Sequence, residues 1–204
     1  MIKEACVETL EQCLQAEKNG AHRLELCARL DLGGTTPEFE VVKSVMNAVK
    51  IPVKVMIRCR GGNFVYSAEE IEIMKQQMLE LKKLNVFGFV FGFLHENNEL
   101  DFDLTVEFCQ LAKDFDITIH KAFDICQNPF DTFLKLKQLP YSLSLLTSGQ
   151  KSTAEDGKDF LKKLVENQEN KIKVIVAGKV SSDNLDALHK FIGAREYHGK
   201  KIVE

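Results

Sequence analysis

The stretch RLELC, Arg23–Cys27, carries two opposite messages in one short strand. Side chains along a strand point alternately to the two faces of its sheet. Leu24 and Leu26 therefore make one apolar face, while Arg23, Glu25 and Cys27 make the other. A parallel sheet covered by helices on both sides is apolar on both faces, and this segment is not. The same division recurs along the chain. Glu4 and Cys6 share a face in IKEACV (Ile2–Val7), as do Lys54, Met56 and Arg58 in PVKVMIR (Pro52–Arg58). Thr118 and His120 do so in ITIHKAFD (Ile117–Asp124), and Glu196 and His198 in REYHG (Arg195–Gly199). A closed (β/α)8 barrel accommodates such faces, because acids and bases on different strands meet across its interior. The alternation favours a TIM-type barrel over an open doubly wound sheet.

Working outward, GFVFGF (Gly88–Phe93), SLSLLTSG (Ser142–Gly149) and IKVIVAG (Ile172–Gly178) bring the strand candidates to about eight. Amphipathic runs of helical length separate them, as βαβ units require. SAEE (Ser67–Glu70) is a capping box ahead of Ile71, Met74, Met78 and Leu81. Thr36-Pro37 predicts an N-cap with Pro at the first helical position, and SSDNLDALHKF starts another helix. At 204 residues the chain is short for such a barrel. A single domain over 1–204 is expected, with the eighth helix truncated or missing. The eighth strand would then be poorly covered, which suggests a homo-oligomer, dimer or higher, in which a partner subunit covers it.

A net charge of −3 gives no global pull toward nucleic acid or an anionic membrane. No apolar run is long enough to span a bilayer, and the first residues are charged, unlike a secretory leader. A cytoplasmic protein with its six cysteines reduced is expected. Cys13 and Cys109 sit at helical spacing from apolar neighbours and read as core residues.

The candidate strands end in chemistry. Cys6, Cys27, Arg58, His120, Ser148, Gly178 and His198 all fall at or just beyond C-terminal strand ends, which in a (β/α)8 barrel converge on one mouth. Arg58 and Arg60 in MIRCRGGNF (Met56–Phe64) suit a carboxylate or phosphate, although Arg58 has the alternative of pairing with interior Glu4 or Glu25. His120 and His198 are candidates for general acid and base, with Glu25 and Asp124 as accompanying carboxylates. The alternative for each histidine is a hydrogen bond to an interior acid. Strand alternation turns Lys121 away from the His120 face. LDLGGTTP (Leu30–Pro37) reads as an anion-binding backbone or as a turn with an N-cap. LTSG, with Ser148 as a candidate ligand residue, lies where barrels often hold phosphate. Cys6 and Cys27 end adjacent strands and fit a soft ion such as Cu(I), a disulfide, or two small packing residues. Cys59 and Cys126 follow nearby strands and could add sulfur.

GAHRLELC, LGGTTP, VMIRCRGGNFVYS, FVFGF, TIHKAFD, LTSG and YHG, in this order along nearly the whole chain, resemble the copper homeostasis protein CutC family. The resemblance implies a (β/α)8 barrel, a cytoplasmic location, and Cu(I) binding through Cys6 and Cys27. The family usually has Pro at Cys59, Asp at Asn63 and Arg at Lys121, and continues TSG with Gly where Gln150 stands. Its glycine run before the seventh helix is reduced here to AGK (Ala177–Lys179). The changes at Lys121, Gln150 and the glycine run alter the rim and weaken a phosphate site there. Two functions follow. One is a cytoplasmic Cu(I)-binding protein. The other is an enzyme (lyase, isomerase or hydrolase) acting on a small carboxylate or phosphate, with Arg58, Arg60 and Ser148 binding it. No organic cofactor is indicated.

Overall fold

The computed structural model describes residues 1–169 and 171–204. Eight parallel strands close into a barrel in sequence order. They are β1 (Ile2–Val7), β2 (Arg23–Leu26), β3 (Val53–Met56), β4 (Gly88–Phe91), β5 (Asp116–Ile119), β6 (Leu143–Thr147), β7 (Ile172–Val176) and β8 (Glu196–Gly199). Seven helices follow the first seven strands: α1 (Leu10–Lys18), α2 (Phe39–Ala48), α3 (Ala68–Leu81), α4 (Phe102–Leu111), α5 (Pro129–Leu136), α6 (Lys158–Glu166) and α7 (Leu185–Ile192). The barrel expected from the alternating faces is present, and its eighth helix is absent among the described residues. None of the described helices is long and apolar enough to cross a membrane.

The outward strand faces, such as Leu24, Leu26, Val53, Val55, Phe89 and Phe91, are fully buried beneath the helices. The inward faces carry the charges, and the register explains how they are matched. β1 lies between β8 and β2, so Glu4 stands beside both Arg23 and His198. Arg23 Nε donates to Glu4, and Arg23 Nη2 reaches Glu196 Oε2 at 2.6 Å. On the far side Lys54 is level with Gly88, and Gly88 with Asp116. Gly88 has no side chain to stand between them, so Lys54 Nζ meets Asp116 Oδ1 at 2.6 Å and Thr118 Oγ1 at 2.7 Å. A Cβ on Gly88 would lie 2.3 Å from the Asp116 carbonyl oxygen.

Two local expectations need correction. The capping box forms, with Ser67 accepting from Glu70 N and the Glu70 side chain accepting from Ser67 N. Thr36, however, does not cap α2, which begins at Phe39 behind Glu38. The Thr36 hydroxyl instead accepts from Arg58 N at 2.8 Å and donates to Gln77 Oε1 at 2.9 Å, tying the β3 loop to α3. SSDNLDALHKF starts a helix as expected, α7, with Asn184 at its N-cap position. Asn184 Oδ1 accepts from Ser181 N, and Ser181 bridges to Lys201. Finally, β8 is not left bare. Its outward Tyr197 is fully buried, its hydroxyl lies 3.2 Å from His189 Nδ1 on α7, and Ile202 of the following tail is equally buried. The barrel does not need a partner subunit to cover this strand.

Candidate functional site at the barrel mouth

A cavity of about 160 Å³ opens at the C-terminal ends of the strands. Cys6, Glu25, Cys27, Arg58, His120 and His198 all line it. The sequence-derived ring of polar strand ends is thus a single site. Larger grooves of about 370 and 550 Å³ lie beside α5 and at the opposite end of the barrel. Among the described residues they contain no buried side-chain polar atom without a partner, whereas the mouth contains three: Glu25 Oε2, Arg58 Nε and His120 Nε2.

The cysteine side is built by β1 and β2. Cys6 lies level with Glu25, and Cys27 follows one residue beyond the last paired position, its N–H bonded to Val7 O. The Cys6, Cys27 and Glu25 ligand atoms all lie within 4.8 Å of one another. Every cysteine is unbridged. Cys27 Sγ donates to Glu25 Oε1 at 3.5 Å. The hydrogen bond from Cys27, together with the charge of His198, lowers the Cys6 thiol to about 5 against the effect of burial. The same hydrogen bond between the two sulfurs, then burial, pushes Cys27 well above the ordinary thiol range. Burial lifts Glu25 to about 7 although His198 opposes the rise. For His198 burial disfavours the charge, but Glu25, Cys6 and Glu4 outweigh it and keep the imidazolium. His198 Nδ1 lies 2.9 Å from Glu4 Oε1, so Glu4 joins this site to the Arg23 pair below.

The opposite wall is built by the β3 and β5 loops. Arg58 pairs with neither Glu4 nor Glu25. Its Nη1 donates to the carbonyls of Leu32 (3.2 Å) and Gly34 (2.9 Å), and its Nη2 to Gly62 O at 2.8 Å. The Gly33-Gly34 turn therefore faces the arginine with carbonyls, while its N–H groups bond Leu30 O and Arg29 O within the turn. It is not an anion-binding backbone. His120 Nδ1 accepts from Ala122 N at 3.1 Å, which places the ring hydrogen on Nε2. Burial, then the Arg58 charge, lowers His120 to about 3, so the ring is neutral. Phe64 lies between the two, 4.8 Å from the Arg58 guanidinium and 4.8 Å from the His120 ring. Gly92 makes room for that ring, since a Cβ there would lie 2.6 Å from His120 Nδ1.

Other expected site residues lie elsewhere. Arg60 does not line the cavity. It is held by Glu70, by the Gly61, Asn63 and Val65 carbonyls, and over the Tyr66 ring. Chain geometry explains this, because β3 ends at Met56 and strand alternation does not extend to Arg60. Asp124 and Ser148 also lie outside the cavity lining. Asp124 Oδ2 accepts from Ser148 N (2.9 Å) and Oγ (2.8 Å), and Oδ1 accepts from Gln150 N (3.0 Å). The carboxylate takes the Ser148 and Gln150 N–H groups of the loop after β6, donors that a phosphate there would need. Cys59 and Cys126 do not join Cys6 and Cys27.

Lys121, by contrast, does line the cavity, because the chain turns into a 3-10 helix (Lys121–Ile125) and the strand alternation stops before it. Sequence reasoning missed Phe64, Gly92 and Lys200. Lys200 stands directly after YHG, so its position beyond a strand end was an available signal.

The CutC family pattern matches residues 1–203. A human protein called copper homeostasis protein cutC homolog is 38% identical over 197 residues, which is 97% of this chain and 72% of the human one. A CutC family protein of Enterococcus faecalis is 37% identical over the full length of both chains. The crystal structure of a CutC protein from Streptococcus agalactiae superposes with a TM-score of 0.92 at 30% identity and covers 99% of each chain.

Proposed function

The chain belongs to the CutC family, and from that premise we propose that its part in copper homeostasis is to bind Cu(I) through Cys6 and Cys27 in a reducing cytoplasm. One observation carries the reading: two unbridged thiols and a carboxylate within 4.8 Å of one another at the barrel mouth. Soft thiolates select Cu(I) over harder divalent ions, and two of them suffice for it. Copper is the cargo in this reading, and the chain's own groups prepare its seat. Cys6 is poised as thiolate. Cys27 keeps its proton, with Glu25 Oε1 3.5 Å from its sulfur. Ligand thiols must lose their protons on binding, and Glu25 is placed to take this one. His198, held by Glu4, offsets the negative charge that two sulfurs and a carboxylate bring together.

Anaerobic titration against a chromophoric Cu(I) chelator tests the reading. One ion per chain is expected, with affinity lost in the Cys6→Ser/Cys27→Ser variant. Equal affinity in parent and variant removes these residues from any copper role.

A further inference from the structure

Copper binding leaves the opposite wall of the cavity unused. Arg58 and His120 are each only 4% exposed, yet each keeps one buried donor without a partner. Arg58 is the sharper anomaly. Its two terminal nitrogens donate to three carbonyls, but no acid forms an ion pair with it among the described residues. Burying a cation without a counter-ion is costly, and carbonyl dipoles supply no negative charge. Two of its five N–H groups remain, one on Nη2 and the one on Nε, and Nε has no partner at all. In His120, Nδ1 is committed to Ala122 N, so Nε2 is also a free donor. Both residues line one cavity and pack against the same Phe64 ring.

We propose that Arg58 Nε–H and His120 Nε2–H form a two-donor cradle for the carboxylate of a small organic acid. Charge and donor placement select this class, because a buried cation without a counter-ion and a neutral imidazole each present an unpartnered nitrogen to one cavity, where each can hold one oxygen of a carboxylate. A phosphate has three terminal oxygens to satisfy, and the loop that could supply more donors, after β6, is filled by Asp124. Size selects further. About 160 Å³ is below the ~300 Å³ of pockets that hold drug-sized ligands, so the acid is short. Leu30, Met56 and Leu146 supply apolar wall for its body. Charge agrees, since Lys200 also lines the cavity and Glu25 is the one carboxylate in its lining, while Lys121 there is paired with Asp124 at 3.1 Å. Glu25 in turn faces His198 Nδ1 at 3.9 Å. This site does not depend on the copper reading.

The test uses metal-free protein labelled with ¹⁵N-histidine. Short monocarboxylates, short dicarboxylates and inorganic phosphate are titrated separately while the His120 Nε2–H signal is followed. A saturable shift with a short carboxylate is expected. Arg58→Lys and His120→Phe should each weaken its binding, read by calorimetry, about tenfold, as loss of a buried charged or neutral hydrogen bond implies. Arg60→Met should bind like the parent. If Arg58→Lys does not fold, the parent signal and His120→Phe decide the matter. Absence of a saturable shift with every carboxylate overturns the proposal. So does a response to phosphate alone, or equal affinity in parent and His120→Phe.

Discussion

The lower barrel and its mouth are built from the same residue types and treat them in opposite ways. Below, Arg23 is shared by Glu4 and Glu196, and Lys54 by Asp116 and Thr118. At the mouth, Arg58 has carbonyls but no acid and an unpartnered Nε, and His120 has an unpartnered Nε2. Matched charges hold the strands in register, and unmatched ones mark where a ligand completes the structure. Glu4 belongs to both layers, with one oxygen on Arg23 and the other on His198.

The comparison breaks first at Arg23. Arg23→Met should strand Glu4 and Glu196 and lower unfolding stability by about 3–5 kcal/mol, the usual cost of removing one partner of a buried pair. Urea unfolding reads it, and a loss below about 1 kcal/mol would mean that the lower charges are not interdependent. Arg58→Met should cost less, about 1–3 kcal/mol, because no acid is orphaned and only carbonyl contacts are lost. If Arg58→Met proves as damaging as Arg23→Met, the distinction between the two layers fails.

A smaller effect concerns protons at the cysteine wall. Below about 7, Glu25 is already protonated, so Cu(I) binding must release the Cys27 proton to solvent. Affinity should then rise about tenfold per pH unit. Above about 7, Glu25 is a carboxylate and can keep the proton, so the rise should flatten. Competition titrations from pH 6 to 8 should show this break in the parent and a continuous rise in Glu25→Gln. A break that persists in Glu25→Gln would assign the proton to another group.

How much of this was legible in the sequence depended on strand alternation. Within strands it worked: Glu4, Arg23, Lys54, Thr118, Glu196 and His198 all face inward, as the period of two requires. It also gathered Cys6, Cys27, Glu25, Arg58, His120 and His198 at one mouth. Beyond the strand ends it failed. Arg60 turned to Glu70 and Lys121 turned in, because a loop and a 3-10 helix have no such period. Asp124 and Ser148 showed the right residue types at the right place, but sequence cannot reveal that each would satisfy the other. The Arg58 alternatives were equally closed to sequence, since its partners are backbone carbonyls that no residue type announces.

X-ray absorption at the copper edge of the anaerobically loaded protein tests the copper reading most directly, because it identifies the atoms bound to the ion. A first shell of two sulfur scatterers is expected, falling away in the Cys6→Ser/Cys27→Ser variant. A shell of nitrogen or oxygen without sulfur, or a sulfur shell unchanged in that variant, would contradict it.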